Sequence, residues 1–157
     1  GVRLDPTDAE RYHREFFASY PALARWHATT KAFVRDRGYV RSPFGRVRYL
    51  PDALGFDDAR VWAAEREALN MPIQSAASDL LLGSLVRLSH MHGCRPVAAV
   101  HDEIDFICEP DKVDDYVLTI KETMEDVSWT KNYGVELSVP LVADVEVGTH
   151  WGNVTDE

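Results

Sequence analysis

His101-Asp102-Glu103 sits between two largely apolar runs, Val97–Val100 and Ile104–Ile107. Each run is long enough for a strand and the break is short enough for a tight turn, which predicts a β-hairpin with two acids at its tip. Folding gains little from adjacent carboxylates, because they repel; a bound cation reverses that sign. Mg2+ prefers carboxylate oxygens, keeps several waters and shares its shell with substrate phosphates. One or two acids on a turn therefore suit a phosphate-handling Mg2+ site, and a complete two-metal site needs a further carboxylate. Asp105 could face the same side as Glu103, whereas Asp79 is a poorer candidate on an apolar helical run. The cluster His90, His92 and Cys94 lacks the spacing of common zinc sites and reads better as a helix end capping its own carbonyls. The chain carries no Gly-rich phosphate loop, no nucleophile-elbow serine and no credible Ser/His/Asp set.

Composition narrows the classes. The 157 residues suffice for one domain with a core, and their apolar content of 45% argues against global disorder. No apolar run approaches the ~18–20 residues of a membrane span, and no signal-peptide pattern is visible. Two cysteines, Cys94 and Cys108, make no disulfide framework, which points to a reducing, cytosolic setting. The net charge of −9 is unevenly spread: residues 1–50 carry +5 and residues 51–157 carry −14. A basic part can hold phosphates while an acidic part holds metal ions. Most acids of 109–126 read as a solvated surface.

The elements that must position these groups follow from pattern. Thr7 and Glu10 resemble a capping box opening a helix that Pro21 ends. A second helix covers about 22–37 and stops at Gly38. Tyr12, Phe16, Phe17, Tyr20, Trp26 and Phe33 fall at helical spacing and read as core. Ser42-Pro43-Phe44-Gly45 suits a type I turn between two short strands, which gathers Arg41, Arg46 and Arg48 near one another. A helix from about Asp57 to Leu69 is interrupted at Pro72, and a deeply buried helix follows from Ile73 to His92. Arg66, Asn70, Gln74 and Ser78 step by four and share a polar stripe that calls for a partner. A helix over about 110–127 and one or two strands over Val135–Val147 complete an α+β domain with an antiparallel sheet.

The hairpin does not stand alone. Val100-His101-Asp102-Glu103 between apolar strands resembles the last catalytic motif of family A DNA polymerases, the bacterial DNA polymerase I kind. Gly38-Tyr39-Val40 with Gly45-Arg46-Val47-Arg48-Tyr49-Leu50-Pro51-Asp52 is similar to a second segment of that family. Glu65-Arg66-Glu67-Ala68-Leu69-Asn70-Met71-Pro72-Ile73-Gln74, followed by Ala77-Ser78-Asp79, is similar to a third. Val139-Pro140-Leu141 and Gly148-Thr149-His150-Trp151 resemble its closing strand and terminus. These motifs lie in the family's order over about 38–151, and the first 37 residues fit more loosely. Ser75-Ala76 and His150 depart from the family pattern without touching the metal ligand.

The resemblance implies a partial polymerase domain with a palm-type antiparallel sheet and packed helices: fingers-side helices over 1–37 and palm over 38–157. Asp102 would be catalytic and ligate the two Mg2+ ions, with Glu103 its less essential neighbour and His101 near the primer end. Arg66, Asn70 and Gln74 would contact the primer-template duplex from the minor-groove side, and Arg46 and Arg48 would lie near its backbone. The implied reaction is template-directed nucleotidyl transfer from a deoxynucleoside triphosphate to primer-template DNA, in the cytoplasm, the nucleoid or a viral host's cytoplasm. The family's earlier palm motif, with its metal-binding Asp, and its nucleotide-gripping fingers helix have no counterpart here. The resemblance therefore implies a C-terminal part whose partner is an N-terminal polymerase portion or a separate chain. On this reading Asp105 becomes an ordinary strand residue. The alternatives are a non-catalytic module that binds primer-template or protein, and a phosphohydrolase using Asp102, Glu103 and Asp105.

Overall fold

The computed structural model describes residues 5–151 and 154–156. Two compact units, Gly1–Ile73 and Gln74–Glu157, divide the chain.

The first unit opens with two helices, α1 (Pro6–Ser19) and α2 (Pro21–Arg37). Asp5, not Thr7, caps α1: its Oδ1 accepts from the Thr7 N–H at 2.9 Å and the Thr7 hydroxyl at 2.7 Å. Pro6 then takes the first helical position, where a missing N–H costs nothing. Gly38 ends α2 at φ 69°, and a Cβ there would lie 2.9 Å from Leu54. The expected hairpin forms from β1 (Tyr39–Arg41) and β2 (Val47–Tyr49), closed by Gly45 N–H donating to Ser42 O at 2.9 Å. A 3-10 turn over Pro51–Leu54 leads to α3 (Asp58–Leu88). Val34, Val40, Leu50, Ala53, Ala64 and Ala68 form the core of this unit.

The aromatics assigned to this core lie elsewhere. Tyr12, Phe16, Tyr20 and Phe33 are 42–56% exposed. Phe16 meets Phe17 edge-to-face at 5.4 Å between centroids, and Phe33 meets Tyr39 in the same way at 5.3 Å. Helical spacing identifies a common face but not what covers it. The buried seam is instead sealed by an ionic contact. Glu65 on α3 is 5% exposed; it accepts a hydrogen bond from Arg35 Nε and lies 3.5 Å from Lys31 Nζ. A buried carboxylate needs such partners, because desolvation without them costs several kcal/mol.

Helix α3 runs unbroken through Pro72, contrary to the expected interruption. One proline removes one backbone hydrogen bond, which thirty other helical residues can absorb. The helix begins in the first unit and ends in the second. Its second half is not deeply buried: Ile73, Leu82 and Val86 are 44–62% exposed, and Leu88 alone among its leucines is sealed.

The second unit holds β3 (Cys94–Val100) and β4 (Glu103–Cys108) as an antiparallel pair, then α4 (Val113–Glu125). Leu88, Cys94 and Ile120 form its core, flanked by Met91, Ile104, Phe106, Cys108, Tyr116 and Met124. Gly93 enters β3 at φ 84°, where a Cβ would meet the Tyr116 hydroxyl at 2.2 Å. The Arg87 guanidinium donates to Thr123 O at 2.9 Å and to Asp126 O and Oδ2, both at 2.6 Å. A cation at the C-terminal end of α4 meets carbonyls that the helix leaves unpaired. The alternating stretch Val135–Val147 is irregular apart from β5 (Glu146–Gly148), which pairs with β6 (Val154–Asp156). The α+β class and the antiparallel pairing hold, and among the described residues the pairing is divided among three two-stranded ladders.

Glu65→Gln is expected to lower the urea-unfolding stability of the first unit by about 1–3 kcal/mol, because it removes charge-assisted hydrogen bonds from a buried site. Glu67→Gln breaks only the exposed pair with Arg48 and should cost no more than about 1 kcal/mol. Equal losses would show that Glu65 is not the seam.

Candidate functional site

Val100 pairs with Glu103 across the β3–β4 ladder, so His101 and Asp102 alone make the connection. His101 has φ 55°, and it is the non-glycine residue with positive φ among those described. Positive φ at the first central position suits the right-handed twist of a hairpin, and glycine is the usual occupant. A side chain there costs of order 1 kcal/mol. The turn projects Asp102, which is exposed.

Side-chain alternation sorts the residues behind the tip. Ile104, Phe106 and Cys108 pack against the core of the second unit, which turns Glu103 and Asp105 to the opposite face. The register shifts between Pro96 and Ala98, so Pro96 pairs with Phe106 and Ala98 with Asp105. This bulge falls beside a proline that has no N–H to give the ladder.

Glu103 titrates above the usual glutamate range. A side-chain hydrogen bond with Asp105 is the largest cause, followed by the charge of Asp105, burial, and the charges of Glu146 and Asp102. The hydrogen bond brings Asp105 back beside the site, although the resemblance makes it an ordinary strand residue. Glu146 enters from β5, forty-three positions along the chain from Glu103. No spacing rule links the two, and only the alternation of acid with apolar residues around Glu146 hinted at a strand.

These oxygen donors fit a hard divalent cation, which would relieve the crowding that raises Glu103. The fit is partial. Among the described residues no three His, Cys, Asp or Glu side chains converge as a metal-holding group. Asp102 would hold such an ion, with the remaining shell drawn from water, substrate and groups outside this hairpin.

The other expected site residues lie on two elements. Arg66, Asn70, Gln74 and Ser78 are exposed at four-residue steps on α3. Water satisfies them, so the stripe needs no protein partner to be stable. Arg46 and Arg48 belong to β1–β2 and its turn in the first unit. Arg48 is engaged: its Nη2 lies 2.7 Å and its Nε 3.2 Å from Glu67 Oε2. Arg41 Nη1 turns back to Gly45 O at 3.5 Å. Arg48 therefore has an anionic partner that its sequence spacing did not show.

Comparison with known proteins bears directly on these motifs. The model of DNA polymerase family A matches residues 2–153. The chain belongs to DNA polymerase family A. It is 37% identical over 147 residues to the thermostable DNA polymerase I of Thermus thermophilus, covering 92% of this chain and 17% of that protein. It is 30% identical over 159 residues to the DNA polymerase of Bacillus phage SP01, covering 98% and 17%. The polymerase domain of Pol1 from M. smegmatis, solved in complex with DNA primer-template and dNTP, superposes with a TM-score of 0.72 at 25% identity. That match covers 88% of this chain and 24% of the other. The chain thus spans about a sixth of the length of its curated family A relatives. No helix among the described residues is long and apolar enough to cross a membrane.

Asp105→Asn should bring the Glu103 titration midpoint down toward the ordinary value of about 4.3, followed by carboxyl-carbon NMR. A raised acid pKa means that the folded state holds the proton more tightly than the unfolded chain. Stability should therefore fall as pH rises through the Glu103 midpoint, and Asp105→Asn should flatten that slope. An unchanged midpoint would remove Asp105 as the cause.

Proposed function

We propose that this chain is the C-terminal palm and fingers part of a DNA-directed DNA polymerase, with fingers-side helices over 1–37 and palm over 38–157. The observation that carries the reading is Asp102: an exposed carboxylate on a two-residue turn, backed by crowded acids, in a chain of family A. The motifs around it occur in the family's order, and the solved relative named above holds primer-template and dNTP. The substrates proposed for this chain are the same: primer-template DNA and a deoxynucleoside triphosphate.

In this reading the primer 3′-hydroxyl attacks the α-phosphate and pyrophosphate leaves. Two Mg2+ ions, when bound, supply the charge that lowers the hydroxyl pKa and offsets the leaving oxygens. Asp102 offers its carboxylate oxygens to that site, and Glu103 adds negative potential beside it. His101, fixed by its strained backbone, stands next to the primer end. Arg66, Asn70 and Gln74 present hydrogen-bonding groups to the minor-groove edge of the duplex. That groove shows similar acceptors for every base pair, so such contacts monitor duplex geometry more than sequence. Arg46 lies near the sugar-phosphate backbone, and Arg48 joins it by exchanging Glu67 for a phosphate.

On this reading the second essential carboxylate and the nucleotide-gripping helix would be supplied by an N-terminal polymerase portion or a separate chain. The exposed apolar positions of α3 and the half-exposed aromatics of α1 and α2 support docking of such a part.

The test is primer extension by the complete polymerase that contains this chain. Asp102→Ala should cut the rate by about 100- to 1,000-fold or more, as loss of a preorganised electrostatic group does, while primer-template affinity stays within a few-fold. Extension at the parental rate would overturn the catalytic assignment and leave the non-catalytic binding module as the better reading.

A further inference from the structure

The two cysteines of the chain, at opposite ends of the hairpin, meet at its base. Cys94 opens β3, Cys108 closes β4, and they are direct register partners. Opposed residues in an antiparallel ladder have Cα atoms about 4.5–5.5 Å apart, within the span a disulfide accepts. Both cysteines are free. Cys94 is 1% exposed, whereas Cys108 is partly open to solvent.

We propose that Cys94 and Cys108 form a redox modification site: a reversible cross-strand disulfide made by exchange with a low-molecular-weight disulfide of the glutathione class. The difference in exposure sets the order of events. The Cys108 thiolate attacks one sulfur of the oxidised reagent, a Cys108–glutathione bond forms, and one glutathione thiolate leaves. The Cys94 sulfur then attacks the Cys108 sulfur and expels the second glutathione, whose thiolate takes up the Cys94 proton as it leaves. Two protein thiols are oxidised to one disulfide, and one glutathione disulfide is reduced to two thiols. Burial pushes the Cys94 thiol up, with further contributions from Cys108, so Cys94 is a slow first nucleophile. Its contact with Cys108 makes the second step intramolecular.

The bond would staple the end of the hairpin opposite Asp102, about 20 Å along the strands from the turn at ~3.3 Å per residue. It would hold the strand ends in their present register, because the partners already face each other. The bland alternative is a pair of small apolar side chains filling the core beside Leu88 and Ile120. That alternative predicts no exchange.

The experiment treats the complete protein carrying this chain with oxidised glutathione and quenches it in acid. Remaining thiols are alkylated under denaturing conditions, and the protein is cut before aspartate, which separates the cysteines at Asp102 and Asp105. The expected product is a linked peptide pair carrying Cys94 and Cys108. It should be lighter than its two free-thiol peptides by two hydrogen atoms and be lost on reduction. In Cys94→Ala, Cys108 should stop at the glutathione adduct. Alkylated Cys94 beside a stable glutathione adduct on Cys108 in the parent protein would overturn the proposal. So would two alkylated cysteines after prolonged exchange, or a Cys94→Ala variant with no adduct on Cys108.

Discussion

The register of the β3–β4 hairpin is the constraint on which the candidate site depends. Pairing of Val100 with Glu103 leaves two residues for the connection and puts Asp102 at its tip. A slip of one residue would exchange the two faces of β4. Phe106 and Ile104 would then leave the core of the second unit, and Glu103 and Asp105 would enter it. The apolar cost of that exchange, together with the cost of burying carboxylates, fixes the register more firmly than the turn does. The turn itself is strained, since His101 occupies a conformation that glycine adopts freely. Packing at the base thus holds a tip that local preference alone would not choose.

The same register concentrates negative charge. Glu103, Asp105 and Asp102 arrive from one hairpin, and Glu146 arrives from β5. Folding gains little from such crowding, and the neighbouring acids raise the pKa of Glu103. A site that handles phosphates and divalent cations has use for such crowding, because a cation both relieves it and is drawn to it. The buried acid Glu65 is the opposite case. It has two cations beside it, and its work is to close the seam between α2 and α3.

Helix α3 shows how a strong local signal can mislead. Pro72 and the residue before it read as an interruption, yet the helix continues. Leu69, Met71 and Gln74 near the proline are good helix formers, and one missing hydrogen bond is small beside the cooperative gain of a long helix. Arg66 and Asn70 in the first unit, and Gln74 and Ser78 in the second, are all exposed. Exposure also removes the energetic argument that first singled them out, because solvent satisfies polar groups that a buried stripe could not leave unpaired.

Much of the local structure was legible in the sequence. The hairpin over about 97–107, which the structure extends to 94–108, the Gly38 helix stop, the Ser42–Gly45 turn and the helix after Pro110 follow from short-range patterns of apolar spacing and turn chemistry. The motif order marked the family, which comparison with relatives then showed. Tertiary structure decided what those patterns cannot encode: that the aromatics of α1 and α2 stay half exposed, that Arg48 pairs with Glu67, that Glu65 is buried among cations, and that Glu146 joins the hairpin acids. The physical reason is one of range. Periodicity and turn residues report the conformation of neighbouring residues, whereas burial and charge pairing depend on side chains brought together from distant positions. Asp102 was visible because its turn is local; the field around it belongs to the fold.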